Sequence, residues 1–137
     1  MFLVVRLLPL VSAKYNAAGI RTYLALIDGQ ELARAREQIT ISVGLIAHYE
    51  PRRYARLKAD LRGILVHPFA TSPRARYNRS TGLCELSPSL AMSEDIVTIA
   101  SSILHEGTHA RLRHVRVDDP ERRLRTEHIC ISQEIAF

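Results

Sequence analysis

Apolar residues recur along this chain at two different periods. From Gln30, the positions Leu32, Ala35, Ile39, Val43 and Ile46 repeat at helical spacing, which predicts an amphipathic helix to about Tyr49. Pro51 suits the first turn of a second helix, to about Leu61, because an N–H there would have no partner in the helix. That helix presents Arg52, Arg53, Arg56 and Lys58 on one face and stops at Gly63. The run ILVHPF, residues 64–69, is short, apolar and ended by proline, and so predicts a strand. Residues 71–76 read as a loop. A hairpin follows, with Tyr77 before the turn, residues 78–82 in it and residues 83–86 after it; SPS closes the hairpin. Residues 13–27 carry few turn signals besides Gly19 and are expected to be helical in part.

Two helices complete the pattern. Ser93 is a favourable N-cap, with Glu94 and Asp95 at the positive end of the dipole, so the next helix is expected from Glu94 to about Arg113. Asp119-Pro120-Glu121 opens the last one, with aspartate as cap and proline in the first turn. Helices, then a small antiparallel sheet or hairpin, then two helices define an α+β class. The 137 residues suit one domain with a modest core. Residues 1–62 are expected to be mainly helical. Residues 63–137 are expected to carry the sheet and the last two helices.

Composition and charge change this picture little. Apolar residues make up 47%, which is not a disordered composition. The net charge of +5 comes almost entirely from arginine, with acids interleaved and no basic-aromatic platform. Nucleic acid is therefore an unfavoured partner. The two cysteines, Cys84 and Cys130, are too few for a disulfide scaffold, and each reads as a small buried hydrophobe. Asn78-Arg79-Ser80 matches a glycosylation sequon, which matters only in a secreted eukaryotic protein; nothing else argues for one. The first twelve residues are apolar but too short to span a bilayer, and Arg6 and Pro9 interrupt them. No basic segment precedes them, as a signal peptide would require. They are read as a buried first element, with a membrane anchor as the alternative. A cytoplasmic location is favoured over a membrane-associated one.

The chemistry concentrates in SSILHEGTHARL, residues 101–112. His105, Glu106 and His109 form H-E-x-x-H. Histidines four apart on a helix lie about 40° apart around its axis, so both imidazoles project to one side. That spacing suits two ligands of one metal, while Glu106, about 100° round, suits a general base acting on water. Six histidines and nine glutamates would produce this pattern by chance in roughly two chains in a hundred, so context must carry the argument. Ile96, Ile99, Ala100, Ile103 and Ala110 lie opposite the histidines, whereas Thr98, Ser101 and Ser102 share their side. The last helix supplies Glu127 and Glu134 on the stripe of Leu124, Cys130, Ile131 and Ile135. A carboxylate on an apolar face needs a partner, and a metal is one.

His105, Glu106 and His109, with a glutamate on a following helix, resemble the zincin metallopeptidases of the HExxH-plus-glutamate, or gluzincin, kind. The resemblance covers about residues 64–137. It implies a zincin-like fold and Zn²⁺ held by His105, His109 and Glu127, with Glu106 as the catalytic base and a peptide or protein as substrate. It also implies a sheet strand, here about residues 82–86, along which an extended substrate lies. The chain is much shorter than secreted gluzincins and lacks the second domain that builds their cleft. No metzincin-type extension follows His109. Glu127 has the spacing nearest the family's pattern. Glu134 is the alternative ligand, or else orients a histidine from outside the metal's first shell. His128 and Tyr77 are candidate donors to the transition state; the plainer readings are a histidine that does not touch the metal and core packing. His114 is expected at the helix C-terminus, and His48 and His67 on the surface. Two other functions stand beside the peptidase: a zinc-binding module without turnover, and a basic nucleic-acid-binding protein in which the motif is accidental.

Overall fold

Residues 20–24 alternate buried and solvent-facing, with Ile20, Thr22 and Leu24 inward and Arg21 outward. This two-residue period makes a strand, and residues 13–24 are a β-hairpin where a partial helix was expected. In the computed structural model, which describes Leu7 and residues 12–25, 27–69, 74–114 and 119–135, β1 is Ala13–Ala17 and β2 is Ile20–Leu24. They pair antiparallel around a two-residue turn in which Ala18 and Gly19 both have positive φ, 47° and 96°. Such a turn matches the twist of the strands it joins. Asn16 Oδ1 accepts from the Gly19 N–H, and Tyr54 Oη donates to the Ala18 carbonyl. A Cβ on Gly19 would fall 2.2 Å from that Tyr54 oxygen, so the turn needs glycine for space as well as for φ. Apart from Leu7 and Ser12, the expectations for residues 1–12 lie outside the described residues.

The two helices expected next are present: α1, Gly29–Tyr49, and α2, Pro51–Asp60. Asp28 caps α1 by accepting from the Glu31 N–H, and Ala35, Ile39, Val43 and Ile46 form its buried stripe. On α2 only Leu57 is buried; Arg52, Arg56 and Lys58 are in solvent, while Arg53 is half-buried. Strand β3, Gly63–Val66, and the hairpin of β4, Ala75–Asn78, with β5, Leu83–Leu86, also follow the expected pattern. Ser87 then caps a short helix, α3, Pro88–Ala91, where only a hairpin end was expected.

The sheet is larger than anticipated and it is mixed. Its five strands run in the order β1-β2-β3-β5-β4; β3 is parallel to β2 and β5, while β1 and β4 are antiparallel edge strands. The crossover from β2 to β3 carries α1 and α2, as a parallel connection requires. The class is α+β, with five helices and five strands among the described residues. Every residue of β3 and β5 is buried, as expected of central strands.

Helix α4, Ile96–Arg111, starts two residues later than expected. Its cap is Asp95, whose Oδ1 accepts from the Thr98 N–H, while Ser93 Oγ accepts from the N–H of Asp95 itself. α4 packs on α1, α2, β4 and the last helix, α5, Pro120–Ile135. Asp119 caps α5 through the Glu121 N–H. No helix among the described residues is long and apolar enough to cross a membrane.

Candidate metal centre

The inward face of α4 is Ile99, Ala100, Ile103, Leu104, Gly107 and Ala110. Burying that stripe fixes the helix's rotation and turns His105 and His109 to its flank, 17% and 22% exposed as side chains, with ring centroids 5.1 Å apart. Gly107, inside the motif, lets α4 approach α2: a Cβ there would lie 2.1 Å from Leu57 Cδ2. Glu106 is buried, 7% exposed, on the wall of the same cavity.

Helix α5 brings the expected carboxylate. Glu127 Oε1 lies 3.2 Å from His109 Nε2, and its Oε2 lies 3.6 Å from His105 Nε2. Two ligand atoms of one tetrahedral zinc, each about 2.0–2.1 Å from the ion, are about 3.3 Å apart. Each histidine thus faces a different Glu127 oxygen, at a distance near that between two ligands of one zinc. Burial lowers the His109 pKa; His105 and Arg79 add to this and Glu127 opposes it. The neutral imidazole, the form that binds a metal, is favoured.

The cavity has a volume of about 330 Å³ and is lined by Ala75, Arg76, Tyr77, Arg79, His105, Glu106, His109 and Glu127. A second cavity of about 340 Å³, lined by Gly19, Ile20, Arg21, Lys58, Leu61 and Arg62, offers neither carboxylate nor imidazole and so no set of ligands. A cleft on the α2 side of α4 holds only about 30 Å³, too little for a substrate.

Several expectations need correction. Strand β5 lies between β3 and β4, so its backbone is engaged on both sides; among the described residues, the unpaired edge beside the cavity belongs to β4. The stripe assigned to α5 is only in part its buried face: Cys130 is buried, but Leu124 and Ile131 are 62% and 45% exposed, and the side chain of Ile135 lies outside the described residues. Glu127 and Cys130, one turn apart, are the α5 residues that meet the histidines. Tyr77 lines the cavity and also packs on the core. His128 is exposed and does not line the cavity. His48 is exposed, as expected, and His114 lies just past the end of α4, as expected. The side chain of Glu134 lies outside the described residues.

His67 is not a surface histidine; it is 4% exposed. It extends β3 on the face shared by Leu65 and Glu85, its Nδ1 donates to the Pro68 carbonyl, and its Nε2 lies 3.6 Å from Glu85 Oε2. Glu85, fully buried, also accepts from Arg76 Nε and Asn78 Nδ2. Burial alone would raise the Glu85 pKa, but the contacts with His67, Arg76 and Asn78 and the Arg76 charge bring it to about 2. The Asn78 amide of the sequon is thus part of the fold. Several other arginines are also paired: Arg34 with Glu94, Arg53 with Glu50, Arg113 with Asp60 and Arg125 with Glu121.

The two cysteines differ. Cys84, buried in β5, has its thiol pKa pushed well up by burial and by the Glu106 and Glu85 carboxylates. Cys130, one turn after Glu127, places its Sγ among the histidines: the ligand atoms of His105, His109 and Cys130 all lie within 4.8 Å of one another. The three-residue spacing from Glu127 was the available signal. No protein-family model, curated protein or solved structure matches the chain.

Proposed function

We propose that this chain is a zinc-dependent hydrolase of the zincin kind, acting on peptides. The observation that carries the reading is the convergence of both HExxH imidazoles on Glu127 at zinc-ligand spacing, beside a cavity walled by Glu106. His105, His109 and Glu127 would hold the ion. Zinc, when bound, supplies Lewis-acid chemistry: it polarises a carbonyl and brings the pKa of water towards neutrality.

Glu106 takes the proton from the attacking water as the water oxygen adds to the amide carbon. It returns that proton to the nitrogen as the C–N bond breaks. The edge of β4, unpaired among the described residues, would give an extended peptide backbone partners along the cavity, a mode of binding that tolerates varied side chains. Tyr77, which lines the cavity, would donate to the carbonyl oxygen as charge develops there.

The test is metal content by inductively coupled plasma mass spectrometry after dialysis. The expected result is about one zinc per chain, lost in His105→Ala and His109→Ala and kept in Glu134→Ala. No zinc above the His105→Ala background, even after zinc is supplied, would overturn the reading.

A further inference from the structure

Helix α5 leaves Leu124, Ile129 and Ile131 at least 45% exposed and turns a fully buried cysteine inward. A helix that needed apolar filling at its contact with α4 would present its isoleucines. Cys130 sits one turn from Glu127, on the same flank, and its Sγ and the two imidazole ligand atoms lie within 4.8 Å of one another. Three points so spaced share a position within about 2.8 Å of all of them, and zinc–sulfur and zinc–nitrogen bonds are about 2.3 and 2.0–2.1 Å. Less than an ångström of side-chain adjustment closes the set. Glu127 has a different character. It is 45% exposed, and a different oxygen faces each histidine.

We propose that Cys130 supplies a thiolate ligand to the same zinc centre as His105 and His109, leaving Glu127 at the solvent-side position. The inference rests on the zinc reading above and revises its donor set. Two imidazoles and a thiolate form the permanent cage, and zinc accepts that mixture of ligands readily. Glu127 holds the remaining position, the one substrate and water must share. Its carboxylate is then the group that gives way when the site is used.

The experiment is the electronic spectrum of the full chain loaded with Co²⁺ in place of zinc. A cobalt–thiolate bond gives an intense charge-transfer band in the near ultraviolet, whereas imidazole and carboxylate ligands give only the weaker visible bands. The expected result is one bound Co²⁺ per chain with that band present. The band persists in Cys84→Ala and Glu127→Gln and disappears in Cys130→Ser. Zinc affinity should fall by more than about 100-fold in Cys130→Ser, beyond the loss of an outer hydrogen-bond partner. Stoichiometric Co²⁺ without the band, or a band unchanged in Cys130→Ser, overturns the thiolate and leaves the zinc reading intact. No Co²⁺ or zinc bound at all overturns both. If Cys130→Ser does not fold, the band's presence or absence in Cys84→Ala decides, because Cys130 is then the one cysteine of the chain.

Discussion

Two adjacent residues of the motif do opposite jobs, and substitution separates them. Glu106 is buried on the cavity wall beside the histidines, and the helix points it about 100° away from His105. Glu106→Gln keeps the shape and removes the base. Peptide hydrolysis should fall by about 10²–10⁴-fold, the usual contribution of a positioned base, while zinc content stays at the wild-type level. A zinc-binding module without turnover would show no hydrolysis to lose, so the wild-type assay separates the two readings. Gly107 acts through packing alone. Alanine in a helix interior is favoured over glycine by up to about 1 kcal/mol. Here the new methyl would meet the buried Leu57 side chain at 2.1 Å, and overpacking typically costs about 1–3 kcal/mol. Gly107→Ala should therefore lower stability by about 1–2 kcal/mol in urea unfolding; a stabilised variant would mean that α2 and α4 are not this close.

At the scale of elements, α5 is the exposed partner in the site. It buries Thr126 and Cys130, leaves Leu124, Ile129 and Ile131 largely in solvent, and is tied to α2 by Arg53 Nη1 donating to the Gln133 carbonyl. A metal joining α4 to α5 would supply much of what holds α5 down. Chelation should raise amide exchange across residues 120–133 far more than across α4, whose inner face is core; equal protection with and without chelator would mean that no ion joins the two helices. The same contrast explains what the sequence could show. α1, α2, the β4–β5 hairpin and α4 each carry a strong local period or turn, and each was legible. The β1–β2 hairpin was not, because its turn uses Ala18 at positive φ in place of the usual Asn-Gly or Asp-Gly pair. The start of α4 was misplaced because Ser93 and Asp95 can both cap, and the choice depends on packing. Strand order was hidden because parallel pairing joins segments far apart in the chain. That Glu127 would come beside the histidines was legible from its spacing after His109. Cys130 was not, because a cysteine on an apolar stripe reads as filler until the helix's rotation is known.

The whole molecule stakes part of its acid stability on Glu85. This carboxylate joins β5 to β4 through Arg76 and Asn78, and to the end of β3 through His67, all behind the sheet that carries the open edge of β4. Its pKa is about 2 in the fold, against the ordinary 4.5 it regains on unfolding. A depressed folded value means that the charged form is the stabilising one. The contribution is fully present above about pH 5 and is lost as pH falls from there towards 2; it amounts to about 3 kcal/mol at 1.36 kcal/mol per unit. Removing one member of a buried pair leaves the others without their counter-charge. Glu85→Gln should therefore be less stable than the native chain by about 3 kcal/mol at pH 7. The gap between the two should shrink steadily below pH 5 and nearly vanish by pH 2. Urea unfolding of both proteins from pH 7 to pH 2 measures that gap directly. A difference that did not change with pH would show that Glu85 acts by shape and not by charge. The edge strand beside the histidines would then owe its position to packing alone.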